Sequence, residues 1–385
     1  MSQKRRYAAL AAGWFLLLAF AALLFSFPEE SAAAARQGIK LCLDLLIPSL
    51  FPFFFLSSLL ISTGLAGLCA RPLGRLMSPL FGVSGSGAAA LILGAVGGYP
   101  VGARTLAQLV ERQECSPEEA RRLSLFCNNC GPAFFIGAAG AGVFGSKEAG
   151  FLMLGANLSA AILLGIFFRM LRGRPAQGMI HRRGEVSLSS LSAELPDCVR
   201  GAFTSTLNVC AYVILFSILT ALTERSGVLP FLVETCSAPL PLEHSETLCR
   251  SFLVGLLELS TGSAALEKAT ASPGALPLAA FILGWGGLSV HCQSLPFWRK
   301  AGVSAAPYLW AKLAQGLLSA LLTSVGVKLF PLTLPVMAPA GLLSAAPQLL
   351  GQEILALWAL SGVYFLLSGK KRLEKQPKKR YTIHK

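Results

Sequence analysis

Long apolar runs separated by short polar or charged stretches organise this chain. The first, residues 8–27, is about 20 residues long, enough for one α-helix to cross a bilayer. Residues 38–63 follow, apolar but carrying Pro48 and Pro52. Residues 87–110 are interrupted by Gly97-Gly98-Tyr99-Pro100, and residues 123–145 by Asn128-Asn129-Cys130-Gly131-Pro132. Between these two, Ser116-Pro117-Glu118-Glu119 reads as a helix start, with a capping Ser, Pro in the first turn and acids at the positive end of the dipole. Residues 149–168 are an uninterrupted span. The second half runs through 201–222, a mixed loop over 223–250, and a short run 251–266 that holds Glu258 and Gly262. It continues through 276–297, interrupted by Gly284-Trp285-Gly286-Gly287, and ends in spans over 305–330 and 351–368. Breaks at membrane depth free backbone N–H and C=O groups, which is tolerated only where the break is buried in protein or lines a cavity. The pattern predicts an all-α polytopic membrane protein with broken helices.

Composition points the same way. Only 14% of the residues are charged and 54% are hydrophobic, where a soluble domain carries about 25% charge. The mean hydropathy of +0.62 agrees. The net charge of +14 does not make a nucleic-acid surface, because the basic residues sit in clusters that abut apolar runs. Lys4, Arg5 and Arg6 open the chain, Arg169, Arg172, Arg174, Arg182 and Arg183 stand in the middle, and a tail from Lys370 to Lys385 closes it. Such Lys/Arg excess marks the cytoplasmic flanks of membrane helices, so both termini are expected in the cytoplasm. Residues 8–27 exceed a signal-peptide core and no clear cleavage site follows, so they read as an uncleaved helix. The ten cysteines are scattered, mostly in apolar runs, and give no disulfide framework.

The two halves match weakly at the offset that lays Leu91 on Phe252. There Gly97-Gly98-Tyr99-Pro100 falls on Glu258-Leu259-Ser260-Thr261, and Asn128-Asn129-Cys130 falls on Ser289-Val290-His291. Topology gives an independent check. If residues 87–110 crossed fully, Arg169 would lie outside. A re-entrant hairpin folded at residues 97–100 removes the conflict. Residues 251–266 are too short to cross with Glu258 in their middle and become a second hairpin. The halves then have opposite orientation, and each basic cluster falls on one side. This is the inverted-repeat organisation of secondary transporters. The expected divisions are 1–37 (first helix and connection), 38–172 (first repeat), 173–195 (basic and polar cytoplasmic linker), 196–330 (second, inverted repeat), 331–369 (loop and final helix) and 370–385 (basic tail).

Candidate chemistry lies at the breaks. A carboxylate such as Glu258 inside an apolar segment costs about 2.5–3.5 kcal/mol on insertion scales, and solute, ion or proton binding would offset it. The competing reading is a carboxylate held by the N–H groups of the hairpin tip. Asn128 and Asn129 offer uncharged donors and acceptors for a polar solute, or caps for broken helix ends. Ser289 and Gln293 stand opposite them in the repeat, and Ser260 and Thr261 follow Glu258. Gly97, Gly98, Pro100, Gly131, Pro132, Gly262, Gly286 and Gly287 are expected to shape the hairpins and breaks. His291 reads more readily as a structural residue than as a titrating one. Asp44 is expected to cap a helix or pair with Lys40, and Arg104 to snorkel. Cys127 and Cys130 form an isolated C-x-x-C with no second pair for zinc. No P-loop, H-E-x-x-H or Ser-His-Asp order occurs, so neither an enzyme nor a cofactor or metal site is expected.

Four motifs together carry a resemblance: Gly97-Gly98-Tyr99-Pro100-Val101-Gly102-Ala103, Phe126-Cys127-Asn128-Asn129-Cys130-Gly131-Pro132, the stretch from Gly255 to Gly262, and Gly286-Gly287-Leu288-Ser289-Val290-His291-Cys292-Gln293. They resemble the sporulation integral membrane protein YlbJ family, which contains the nucleoside-recognition or Gate domain. That domain is shared with concentrative nucleoside transporters and the membrane part of FeoB-type iron transporters. The likeness covers most of residues 38–330. It implies a multi-pass protein of the bacterial cytoplasmic membrane with a role in sporulation. The expected activity is transport or gating of a small polar solute, such as a nucleoside, with a coupling ion, and a homo-oligomer is compatible with it. The alternative is a non-transporting membrane scaffold for sporulation partners. No GTPase domain is present.

Overall fold

The computed structural model describes residues 3–63, 65–172, 191–240 and 243–330. The expected final helix at 351–368, the basic tail, and most of the central basic linker lie outside the described residues. Every regular element among the described residues is helical.

The first helix, α1 (Gln3–Ser26), is followed at once by α2 (Pro28–Leu41), with a bend of 99° between Leu10–Ser26 and Pro28–Asp44. Residues 28–37 were expected as a connection and are helical instead. Pro28 occupies the first turn, where its missing N–H costs nothing, and Glu29 and Glu30 sit at the positive dipole end. A π-helical turn, Cys42–Leu46, leads into α3 (Ile47–Ser62). The interruption falls just before Pro48, which can donate no helical hydrogen bond. Asp44 is exposed, and no ion pair joins it to Lys40 among the described residues, contrary to expectation.

Residues left unassigned by hydropathy form α4 (Leu65–Phe81), an amphipathic helix. The first glycine-proline interruption folds as a helical hairpin of α5 (Gly87–Gly97) and α6 (Val101–Glu111), turning at Gly98, which has φ +79°, and a cis Tyr99–Pro100 peptide. The expected start at Ser116 is a full capping box on α7 (Pro117–Leu123). The chain then leaves the helix and has no regular secondary structure through Asn128–Gly131, before a π-helical segment, Ala133–Val143, and the long α8 (Lys147–Arg172).

The second half is also built around a helical hairpin followed by a break and a long helix. It runs through α9 (Leu191–Arg225), a short α10 (Val228–Ser237) inside the expected mixed loop, and a hairpin of α11 (Ser245–Leu257) and α12 (Leu259–Ala264) turning at Glu258. Then come α13 (Ala275–Trp285), α14 (Gly287–Lys300) and the long α15 (Ala305–Leu329). α9 begins before Pro196, so the end of the expected linker is helical. Gly286, at φ +90°, separates α13 from α14.

Among the described residues, three helices are long and apolar enough to cross a membrane: Lys147–Leu171, Glu194–Arg225 and Ala275–Lys300. The bent α1–α2 pair gives a fourth if it counts as one span. α15 has the length but lacks the apolar character, because Lys312, Gln315, Ser319 and Thr323 form a buried polar stripe. These positions repeat every three or four residues and therefore share one helix face.

The hairpins are tight because glycine permits it. A β-carbon on Gly94 or on Gly102 would collide with the Cys127 carbonyl oxygen, so α5 and α6 clasp the broken segment from both sides. In the second hairpin a β-carbon on Gly262 would collide with the Gly255 backbone, and the Ser251 hydroxyl donates to the Gly262 carbonyl at 2.5 Å.

Candidate functional site

Both hairpin turns and the first helix break line one small cavity, which α14 closes with Val290 and Gln293. It is lined by Gly98 and Tyr99 of the first turn, Cys130 and Gly131 of the first break, Glu258 and Ser260 of the second turn, and Gln293 beyond the second break. The packing explains the convergence. Gly98 lies against Gly131, and Gly287 lies against the Glu258 backbone, so each turn rests on the break of its own half. Tyr99 crosses between the halves. Its hydroxyl donates to the Leu283 and Gly284 carbonyls at 3.2 and 2.9 Å, groups left without helical partners where α13 ends.

Glu258 is 3% exposed. Its Oε2 accepts from the Thr261 N–H at 2.8 Å and from the Thr261 hydroxyl at 2.5 Å, which caps α12. That is the capping geometry weighed against function in the sequence. The second carboxylate oxygen has no hydrogen-bond partner among the described residues, and the residue lines the cavity. Gln293 also lines it, with its amide donating to the Ser289 hydroxyl at 3.0 Å. Glu258, Ser260 and Gln293 therefore face the cavity, while Thr261 and Ser289 hold two of them in place.

Asn128 and Asn129 are fully buried and line neither cavity described here. Asn128 accepts from the Ala103 N–H at 3.3 Å and donates to the Ser294 and Tyr308 hydroxyls, each at 3.1 Å. Asn129 donates to the Phe126 carbonyl at 2.9 Å and accepts from Gln315 Nε2 at 2.7 Å. They tie the broken segment to α14 and α15. His291 meets the Tyr308 hydroxyl at 3.3 Å through Nδ1, and its buried Nε2 has no partner among the described residues.

The residues that the sequence reading missed lie on the long helices. Lys312 of α15 is fully buried; its ammonium donates to the Asn128 carbonyl at 2.9 Å and to Gln315 Oε1 at 2.7 Å, and sits 4.9 Å from the centre of the Tyr99 ring. Gln315 Nε2 also donates to Asn157 Oδ1 at 3.0 Å. A lysine amid apolar residues is itself a signal of a functional position. It was passed over because residues 305–330 read as a plain span.

A second, larger cavity of about 550 Å³ adjoins the first. Its walls recur with helical period on three elements: Arg104, Gln108 and Glu111 on α6 with Pro100 just before it, Arg200, Thr204 and Asn208 on α9, and Gln293 and Lys300 on α14. From Pro100 to Glu111 the shaft extends roughly 16 Å at 1.5 Å per residue. Val209 and Gln293 line both cavities, so they form the partition. Arg104 does not snorkel as expected. It is buried, donates through Nη1 to the Phe54 carbonyl at 2.9 Å and stacks 5.1 Å above the Phe54 ring, and Gly201 leaves room for the rest of its guanidinium. The inner cavity, at about 50 Å³, holds a few waters or an ion, whereas the shaft has the volume of a small-molecule site.

Comparison with known proteins agrees with the resemblance drawn from the motifs. Residues 44–147 match the family model described as Gate: Nucleoside recognition. That region contains the first hairpin, the broken segment and both asparagines. Over 332 residues the chain is 29% identical to the sporulation integral membrane protein YlbJ of Bacillus subtilis (strain 168), covering 81% of this chain and 80% of that one. No solved structure matches the chain.

Proposed function

We propose that this relative of YlbJ is a multi-pass protein of the bacterial cytoplasmic membrane that moves or gates a small polar solute during sporulation. The observation that carries the reading is the meeting of two turns and the first break at one cavity, with a buried carboxylate and an amide facing it. Irregular backbone at such depth belongs at solute sites. In this reading the hairpins are re-entrant and the two halves are inverted. The shaft is the entry vestibule, open on the side of Lys300 and Glu111, which the distribution of basic residues makes cytoplasmic. The inner cavity is the closed remainder of the path, too small for a nucleoside until the turns part. The name of the matching domain makes nucleosides the first solutes to try. No catalytic step is assigned to any residue.

The test is uptake by the purified full-length chain in proteoliposomes, screened over nucleosides and other small polar metabolites. A taken-up solute whose transport falls at least tenfold in E258Q and Q293L supports the reading. Uptake of nothing, together with normal heat-resistant spores from an E258Q strain, would leave the scaffold role in its place.

A further inference from the structure

Lys312 is a fully buried lysine with no carboxylate partner among the described residues. Its surroundings are those of a cation site. They comprise a backbone carbonyl freed by the broken segment, a side-chain amide oxygen and the face of an aromatic ring. The orientation of the amide is set by its neighbours. Gln315 Nε2 donates to Asn129 Oδ1 and Asn157 Oδ1, which leaves Oε1 turned to the ammonium. Asn129 is fixed in turn by its donation to the Phe126 carbonyl. The oxygens that face Lys312 are therefore held as acceptors before any ion arrives.

In secondary transporters the carbonyls of an unwound segment coordinate the coupling cation. We infer that in this chain the Lys312 ammonium occupies that position, so the cation at the first break is covalently attached and no dissociable alkali ion is bound there. The inference rests on the transport reading of the breaks but makes a claim about cation binding that can be measured without transport.

The measurement is the melting temperature of the purified full-length chain in detergent, in sodium, potassium, methylammonium or N-methylglucamine chloride at equal ionic strength. The wild type is expected to melt at the same temperature in all four. Lys312→Ala opens the site, and is expected to melt at least about 5 °C lower in N-methylglucamine and to regain half or more of that loss in sodium or methylammonium. A wild type stabilised by sodium alone, or a K312A protein that no small cation restores, overturns the inference. Should K312A give no folded protein, K312Q and K312R take its place. A K312Q melting temperature equal to wild type overturns the inference, and a loss confined to K312Q supports it. If the cation pattern holds while no solute is taken up, the transport reading fails and the cation assignment stands.

Discussion

The Tyr99 hydroxyl lies 2.9 Å from the Gly284 carbonyl oxygen, and so joins the turn of the first hairpin to the broken helix of the opposite half. The same ring covers the Lys312 ammonium. Tyr99 is thus one of the side chains that join the two halves. Tyr99→Phe keeps the ring and leaves two carbonyls of α13 without a donor. It is expected to cost about 1–2 kcal/mol and lower the melting temperature by a few degrees. A melting curve matching wild type would show that water replaces the hydroxyl at no cost.

Glu258 combines a cap with a free oxygen, and two substitutions separate these. Glu258→Gln can still accept from the Thr261 N–H, so its stability is expected within about 0.5 kcal/mol of wild type. Glu258→Ala loses the cap and should cost about 1 kcal/mol. If spore resistance or uptake fails in both while only the alanine variant is destabilised, the second oxygen carries the function. Loss that tracks stability in both would assign Glu258 to structure alone.

Gln315 is the junction of the buried network. Gln315→Met strands Lys312, Asn129 and Asn157 together, and should cost about 3 kcal/mol or more. Adding Lys312→Met removes one of the stranded groups, so the double variant should be more stable than the sum of the single losses by about 1–3 kcal/mol. Strict additivity in denaturation midpoints would mean that the two side chains do not communicate.

A β-carbon at Gly94 collides with the Cys127 carbonyl oxygen, which belongs to rigid backbone. Gly94→Ala is expected to disturb the clasp on the broken segment and to cost more than about 3 kcal/mol, as overpacking at a backbone contact does. Gly155→Ala, where nothing lies within 4 Å, is the control and should be neutral. Yields and melting of the two variants side by side provide the check.

Glu114, in the loop between α6 and α7, is buried, and burial raises its pKa above the ordinary 4.5 in spite of Arg112 nearby. A raised carboxyl pKa favours the folded state at low pH, and that contribution is lost as pH rises through the folded value. Glu114→Gln should therefore melt higher than wild type at pH 7 to 8, and the difference should vanish below about pH 4.5. A constant difference at every pH would remove burial of the charge as its cause.

The breaks were legible in the sequence because glycine, proline and polar residues interrupt apolar runs there, and both hairpins turn where those residues stand. The capping box at Ser116 was equally plain, since its signal is local. α4 and α10 were not, because amphipathic helices average to middling hydropathy over a window. Lys312 and Asn157 escaped for another reason. Each stands on a long helix of mainly apolar residues and bonds across more than 150 residues of chain, Lys312 to Asn128 and Asn157 to Gln315. The larger cavity was hidden similarly, since its walls are mainly one face each of α6, α9 and α14, and only packing brings those faces together.

The polar stripe of α15 also bears on how the protein is made. A lone lysine in a nascent helix resists partition into lipid by about 2.5–3.5 kcal/mol, and Gln315 adds to that resistance. The groups that receive them, Asn128, Asn129 and Asn157, are all synthesised earlier. α15 is thus a poor substrate for insertion alone and a good one once the first half has assembled beside the translocon. Insertion of this helix is therefore expected to depend on the fold already present, and a defect in the broken segment Asn128–Gly131 should surface first as α15 failing to enter the bilayer.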